Sequence, residues 1–261
     1  MTRRAISGLR VIVTGASSGI GHALARELSR QGAQLLLSAR REERLIQLAR
    51  ELRGGNGQVV YQAGDITSAA VRSSVLRTAR ETLGGLDVLI NNAGVGAMGP
   101  FAMAGEERLR RIMEVNFFAP AEMMRGAVEL LRAGRQPMIV NVSSVLGHRA
   151  VPNKSEYCAS KFALHGLSDA VRAELASSGI DLLVVSPSTT KSEFFDNVLE
   201  NKSRPCSVTP APMPADRVAR LIARAIRHGR HEIILSPSGK LLVWLDRLFP
   251  PLANRLVARF G

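Results

Sequence analysis

Long apolar runs, cysteine, aromatic rings and acidic side chains are all scarce in this chain of 261 residues. No apolar stretch reaches the roughly eighteen residues that a membrane-spanning helix needs. Cys158 and Cys206 are the only cysteines, too few for a disulfide framework or a thiolate metal site. The five histidines, His22, His148, His165, His228 and His231, show no ligand spacing with thiols or carboxylates, so no metal is expected. Aromatics make up 4% of the chain and the arginines are scattered, which speaks against nucleic acid as a partner. A strand-like segment begins by residue 9 with no signal-peptide stretch before it, so the expected setting is reducing and cytoplasmic.

What is present is apolar bulk and positive charge. A 46% hydrophobic fraction excludes a disordered chain, and the length suits one domain over residues 1–261 with a large core. Thirty-five Lys+Arg stand against 22 Asp+Glu, a net charge of +13. A solvated basic surface is one reading; the functional ones are anionic ligands, namely cofactor phosphates, an acidic partner or a membrane surface.

Apolar runs of strand length recur at 9–14, 33–38, 58–62, 86–91, 138–143, 180–186 and 232–235. Helical periodicity falls between them, notably at 19–31, 42–53, 106–132, 156–176 and 214–228. Fully apolar strands alternating with helices predict a parallel sheet covered on both faces. With right-handed crossovers this becomes a Rossmann-type, doubly wound α/β fold of about seven strands. Residues 187–214 break the rhythm and carry Pro187, Pro205, Pro210, Pro212 and Pro214, as a substrate loop or lid does.

The first strand runs into Thr14-Gly15-Ala16-Ser17-Ser18-Gly19-Ile20-Gly21 and then a helix. That order is the context a phosphate cradle needs, with Gly15, Gly19 and Gly21 allowing the turn, the backbone approach and close packing. Ser17, Ser18 and Ile20 belong to the same cradle. The end of the second strand reads Ser38-Ala39-Arg40-Arg41, with no carboxylate before Glu42. A guanidinium forks onto a ribose 2′-phosphate where an acid would repel it, so NADP(H) is the expected cofactor, with Arg40 leading and Ser17, Ser38 and Arg41 helping. Asp65, beside Ile66 after the third strand, can meet an adenine amino group or cap the helix that follows.

Tyr157 and Lys161 stand four apart, on one helix face. A neighbouring ammonium favours phenolate, so Lys161 is expected to lower the Tyr157 pKa and fit it for proton transfer. Asn91-Asn92-Ala93-Gly94 ends the fourth strand, Asn116 lies mid-helix, and Ser143-Ser144 ends the fifth. In a parallel sheet these strand ends meet at one edge.

With these motifs in this order and spacing, residues 8 to about 235 resemble the short-chain dehydrogenase/reductase family. The resemblance implies that Tyr157 is the general acid/base, that Lys161 tunes it and binds the cofactor ribose, and that Ser144 orients the substrate oxygen. It implies that Asn116 anchors a water extending the proton relay through Lys161. Asn91, Asn92, Ala93 and Gly94 would line the cofactor's adenosine side and steady the central strand. Pro187, Thr190 and Ser192 would meet the carboxamide end. The family's Pro-Gly is Pro187-Ser188 here, which puts the local loop path in question because Ser188 lacks glycine's freedom at positive φ.

The implied activity is NADP(H)-dependent interconversion of a ketone and a secondary alcohol, with a lipophilic substrate suggested by the tail. Reduction of a 3-oxoacyl thioester is the alternative within the family, and an NADP(H)-sensing binding protein is the alternative outside catalysis. Residues 240–261 form an amphipathic tail with Leu241, Leu245, Leu248 and Phe249 on one face, repeated by Leu252, Leu256, Val257 and Phe260. It can cover the cleft, pack on a second copy, or make a peripheral membrane contact. A homodimer or homotetramer is expected.

Overall fold

Successive residues of a strand point to opposite faces, and the strands of this chain are apolar on both. In β1 (Arg10–Thr14), Val11 and Val13 enter one buried cluster while Ile12 enters the other. β2 (Gln34–Ala39) does the same with Leu35 and Leu37 on one side and Leu36 on the other. Two cores, one on each face, follow from that alternation. The computed structural model describes residues 4–55, 57–194, 198–199 and 212–260. Most of the expected substrate loop 187–214, with Cys206, lies outside the described residues.

Among the described residues the chain runs β1, α1 (Gly19–Arg30), β2, α2 (Glu42–Leu52), β3 (Val59–Ala63), α3 (Ala69–Leu83) and β4 (Val88–Asn91). There follow α4 (Glu106–Met113), α5 (Ala119–Arg132), β5 (Met138–Val142), α6 (Ser155–Leu175) and β6 (Asp181–Ser186). Then come the two-residue strands β7 (Thr190–Lys191) and β8 (Met213–Pro214), α7 (Ala215–Arg227), β9 (Glu232–Ile234), α8 (Pro237–Leu248) and α9 (Pro250–Phe260). The seven-stranded sheet has the order β3-β2-β1-β4-β5-β6-β9, and every pairing is parallel. The direction of winding reverses between β1 and β4, which opens a crevice at the strand C-termini. Leu24, Leu28, Ile222 and Ile226 from α1 and α7 fill one core, and Val75, Met123, Leu131 and Ile139 belong to the other. Each fully buried Leu or Ile contributes about 1.5–3 kcal/mol.

Expected strands and observed ones agree to within two residues. The largest trimming is at β4, where Asp87 leaves the ladder region as a buried anchor instead. Its carboxylate accepts hydrogen bonds from the Arg10 backbone (2.8 Å), the Arg10 guanidinium (2.7 Å) and the Arg135 backbone (2.6 Å). The helix expected over 106–132 is a correction. α4 and α5 are joined by a π-helical turn, Glu114–Phe118, which inserts extra backbone where Asn116 needs to face inward. Residues 187–214 are not wholly irregular either: Thr190 pairs with Met213 and Lys191 with Pro214 in a short parallel ladder.

The tail is two helices. Ser236 caps α8 by accepting a hydrogen bond from the Gly239 backbone at 2.9 Å, and a Cβ at Gly239 would come within 2.7 Å of Val145. Arg149 reaches Asp246 and Asn254, both at 2.7 Å. Val243 and Ala253 are buried beneath, so the apolar face expected at Leu241 and Leu248 points outward, not inward.

Candidate active site

The first loop is shaped by the side chains it cannot hold. Gly15 and Gly19 take φ of +67° and +54°, a region that favours glycine. A Cβ at Gly21 would lie 2.3 Å from the Gly15 carbonyl oxygen. Asn92, just beyond β4, ties this loop down by donating to the carbonyls of Thr14 (2.9 Å) and Gly15 (3.2 Å). Thr14 Oγ1 in return accepts the backbone N–H groups of Asn92 (3.0 Å) and Ala93 (3.1 Å). The N-terminus of α1 has no side-chain cap from Ser18 and no acidic residue in its first turn. Ser38 Oγ, buried at the end of β2, has no hydrogen-bond partner. Uncapped N–H groups over a tight glycine turn, with an unmet hydroxyl at the next strand, fit a bound dinucleotide phosphate and ribose.

Beyond β2, Arg40 is exposed. Arg41 donates to Ser17 Oγ at 3.3 Å and to Glu193 at 2.9 Å, and Arg44 donates to Glu193 at 2.6 Å. Hydrogen bonds from Arg44 and then Arg41 hold the Glu193 carboxyl below its ordinary range. No periodic or motif signal pointed to Glu193 or Arg44, because their meeting depends on the path of the chain after β6. Ser192 abuts the cradle, its Cβ 3.0 Å from where a Gly19 Cβ would stand. Thr190 Oγ1 donates to Ser188 O at 3.1 Å, and the Pro187 carbonyl accepts from Val145 N at 2.9 Å. Ser188 is not among the residues with positive φ, so serine in place of glycine leaves this path unstrained.

Asp65 serves the turn before α3. It accepts from Thr67 N at 3.0 Å and Thr67 Oγ1 at 2.9 Å, and pairs with Arg111 at 2.7 Å. Burial acts to raise this carboxyl, but the bonds from Arg111 and Thr67 outweigh it and hold it down at about 2. Ile66 beside it is buried in the second core.

Four polar side chains converge on the other half of the crevice. Ser144 follows β5 and accepts from Leu146 N at 3.1 Å. Tyr157 and Lys161 rise from α6, with the Lys161 Nζ 5.7 Å from the centre of the tyrosine ring. Phe194 packs edge-on against that ring at 5.7 Å. Asn116 Oδ1 accepts from Val95 N at 2.9 Å, while its Nδ2 donates to Val95 O at 2.9 Å and Ser160 Oγ at 3.0 Å. Asn116 thus braces the strand end against α6, and among the described residues it makes no hydrogen bond to Lys161. Gly94 keeps the gap open: a Cβ there would lie 3.3 Å from Asn116 Oδ1 and 3.7 Å from Lys161 Nζ. Behind this group, Asn91 donates to Asn141 (3.0 Å) and Asn141 to Ser168 (2.9 Å), linking β4, β5 and α6.

The expected acidification of Tyr157 is not what the cleft shows. Burial pushes the phenol up to about 12 against an opposing hydrogen bond with Ser144. Burial also draws Lys161 down to about 8; its Nζ donates to the Val142 carbonyl at 3.0 Å and not to the phenol. Desolvation outweighs the charge effect because the two heads do not touch.

The histidines bring a second departure. His148 Nε2 lies 3.0 Å from both Ser186 Oγ and Glu232 Oε1, and His165 Nε2 lies 3.5 Å from the same serine. Among the described residues this trio is the group whose ligand atoms come within 4.8 Å of one another. Spacing along the chain could not reveal it, since loop, helix and strand each supply one member.

Fold and site together define a dinucleotide-type α/β crevice with a serine–tyrosine–lysine group at its edge. Residues 10–203 match the family model described as short chain dehydrogenase, and the chain belongs to that family of oxidoreductases. It is similar to dehydrogenase/reductase SDR family member 7B of Bos taurus, 31% identical over 95% of this chain and 80% of the relative. It is also similar to 3-dehydrosphinganine reductase of Danio rerio, 31% identical over 91% of this chain and 74% of the relative. Among solved structures, a short-chain dehydrogenase/reductase from Burkholderia phymatum in complex with NAD superposes with a TM-score of 0.87 at 25% identity, covering 95% of this chain and 96% of that one. A short chain dehydrogenase from Burkholderia cenocepacia in complex with NADP gives 0.83 at 27% identity, covering 97% and 99%.

Proposed function

We propose that this protein is an NADP(H)-dependent oxidoreductase that interconverts a lipophilic ketone and a secondary alcohol. The observation that carries the reading is the gathering of Ser144, Tyr157 and Lys161 beside a glycine cradle at one edge of the sheet. The backbone N–H groups of Ser18 to Ile20 and the α1 N-terminus would hold the pyrophosphate. Arg40 and Arg41 would take a 2′-phosphate, and Lys161 the adjacent ribose. When bound, the nicotinamide ring supplies or accepts a hydride. Ser144 Oγ orients the substrate oxygen. Tyr157 gives that oxygen a proton in reduction and removes one in oxidation, and a phenol still protonated at neutral pH suits the donor role. Asn116 holds the α6 segment and the Val95 strand end in register, so that Lys161 keeps its place under the crevice.

Phe194 beside Tyr157 offers an apolar wall to the substrate, and the relatives named above include one that reduces a sphingoid ketone by name. The second reading, a 3-oxoacyl-thioester reductase, is favoured by similarity to ketoacyl reductase HetN of Nostoc, 28% identical over 98% of this chain. The protein would act as a homodimer or homotetramer. Exposed Phe118 and Phe162 lie on neighbouring helical segments, and residues 106–132 around them carry five Glu and five Arg. That balance lets the same surface meet itself.

Tyr157→Phe tests the proposal. Turnover of a panel of ketones with NADPH should fall by about a thousandfold or more, while NADPH still quenches intrinsic fluorescence at the same concentration. Retained turnover would remove Tyr157 from the chemistry.

A further inference from the structure

Among the described residues, six of the thirteen exposed large apolar side chains fall within residues 241–256. Leu241 is 69% exposed and Trp244 58%, and Leu248, Phe249, Leu252 and Leu256 accompany them on α8 and α9. Residues 241, 244 and 248 share one helical face, as do 252 and 256. Their outward aim is fixed by what packs inward. Val243 and Ala253 are buried, Gly239 sits against Val145, and Arg149 clasps both Asp246 and Asn254. Exposed apolar side chains gathered on two consecutive helices call for a partner.

Charge selects which partner. Lys240, Arg247 and Arg255 are exposed on the same two helices, and Asp246, the single acid in 236–261, is already paired with Arg149 at 2.7 Å. A symmetric contact between two copies would set this positive patch against itself. The α4–α5 surface, with equal numbers of Glu and Arg, has no such conflict. An anionic bilayer complements the tail in both respects, taking apolar side chains below its headgroups and lysine and arginine among them. Tryptophan suits that boundary as well.

We propose that α8 and α9 dock this protein on an anionic lipid surface through Leu241, Trp244, Leu248, Phe249, Leu252 and Leu256. The docking does not span the bilayer, as no described helix is long and apolar enough to cross one. The start of α8 packs on the segment after Ser144, Gly239 lying against Val145, so docking holds the Ser144 side of the crevice next to the lipid. Only that last link, delivery of a lipophilic ketone from the bilayer, rests on the proposed function.

Trp244 is the only tryptophan in the chain, so the native protein carries its own probe. Full-length protein is mixed with vesicles of phosphatidylcholine alone or of phosphatidylcholine and phosphatidylserine in equal parts. The expected result is a blue shift of tryptophan emission and flotation with the anionic vesicles only, reversed by high salt. Lys240→Ala, Arg247→Ala and Arg255→Ala should each weaken partitioning roughly fivefold, the equivalent of about 1 kcal/mol per basic residue. Leu241→Ser with Leu248→Ser, both at exposed positions, should abolish flotation at an unchanged melting temperature. An unshifted emission with anionic vesicles overturns the proposal, and so does flotation that survives the serine pair. Loss of a dimer in sedimentation of that pair without lipid also overturns it, since the face would then be a subunit contact. The ketone assay uses water-soluble substrates without vesicles, so neither result decides the other.

Discussion

The two halves of the crevice are built on opposite principles. The nucleotide half is made by leaving side chains out: Gly15, Gly19 and Gly21 let backbone approach backbone, and Asn92 stitches the loop to its neighbour. The catalytic half is made by putting polar side chains in, each with a partner. Asn116, Asn141, Ser168 and Lys161 are buried and hydrogen-bonded, and Arg108 pairs with Glu156 one residue before Tyr157. Omission makes a site tolerant of chemistry but not of volume. A buried polar network tolerates neither a missing partner nor an added charge.

The sharpest way to break the comparison is Arg108→Leu. Both partners of that pair are nearly fully buried, at 5% and 4% exposure. Removing one should cost about 3–5 kcal/mol of stability by leaving Glu156 without its charge partner, read by urea denaturation. Replacing both by Leu should recover most of it; a loss under about 1 kcal/mol for the single variant would deny the catalytic half its dependence on pairing. Gly21→Ala comes next. Its Cβ would press on the Gly15 carbonyl, for about 1–3 kcal/mol of strain and a loss of NADPH binding by titration. Gly54→Ala, where nothing lies within 4 Å, should change neither. Arg40→Asp is expected to have the smallest effect on stability, because it alters only the rim. Stability should hold while the NADPH over NADH preference reverses, a change of about 1.5–3 kcal/mol in binding. Equal affinities in the native protein would show that Arg40 reads no phosphate.

The sheet was legible because parallel strands buried on both faces leave uninterrupted apolar runs, and most of the runs here are preceded by Gly. The cradle and the Ser144, Tyr157 and Lys161 group were legible because topology brings strand ends together whatever the side-chain detail. Of the features that were not, three bear on the crevice. The π turn at Asn116 adds backbone without disturbing a helical pattern, although an asparagine amid apolar neighbours was its trace. Glu193 meets Arg41 and Arg44 across some 150 residues of chain, beyond the reach of any spacing rule. The tyrosine shift went the other way because burial of the phenol outweighs its bond with Ser144, while Lys161 turns to a backbone carbonyl, and no sequence states either.

The short ladder between Thr190–Lys191 and Met213–Pro214 has a wider consequence. It works as a clasp, holding Thr190–Lys191 against Met213–Pro214 with α7 starting directly behind it. Chain closed in this way can lengthen at little cost, roughly 0.6 kcal/mol for each doubling. Insertions between those two short strands would therefore spare the scaffold, leaving the seven-stranded sheet and its two cores as they are.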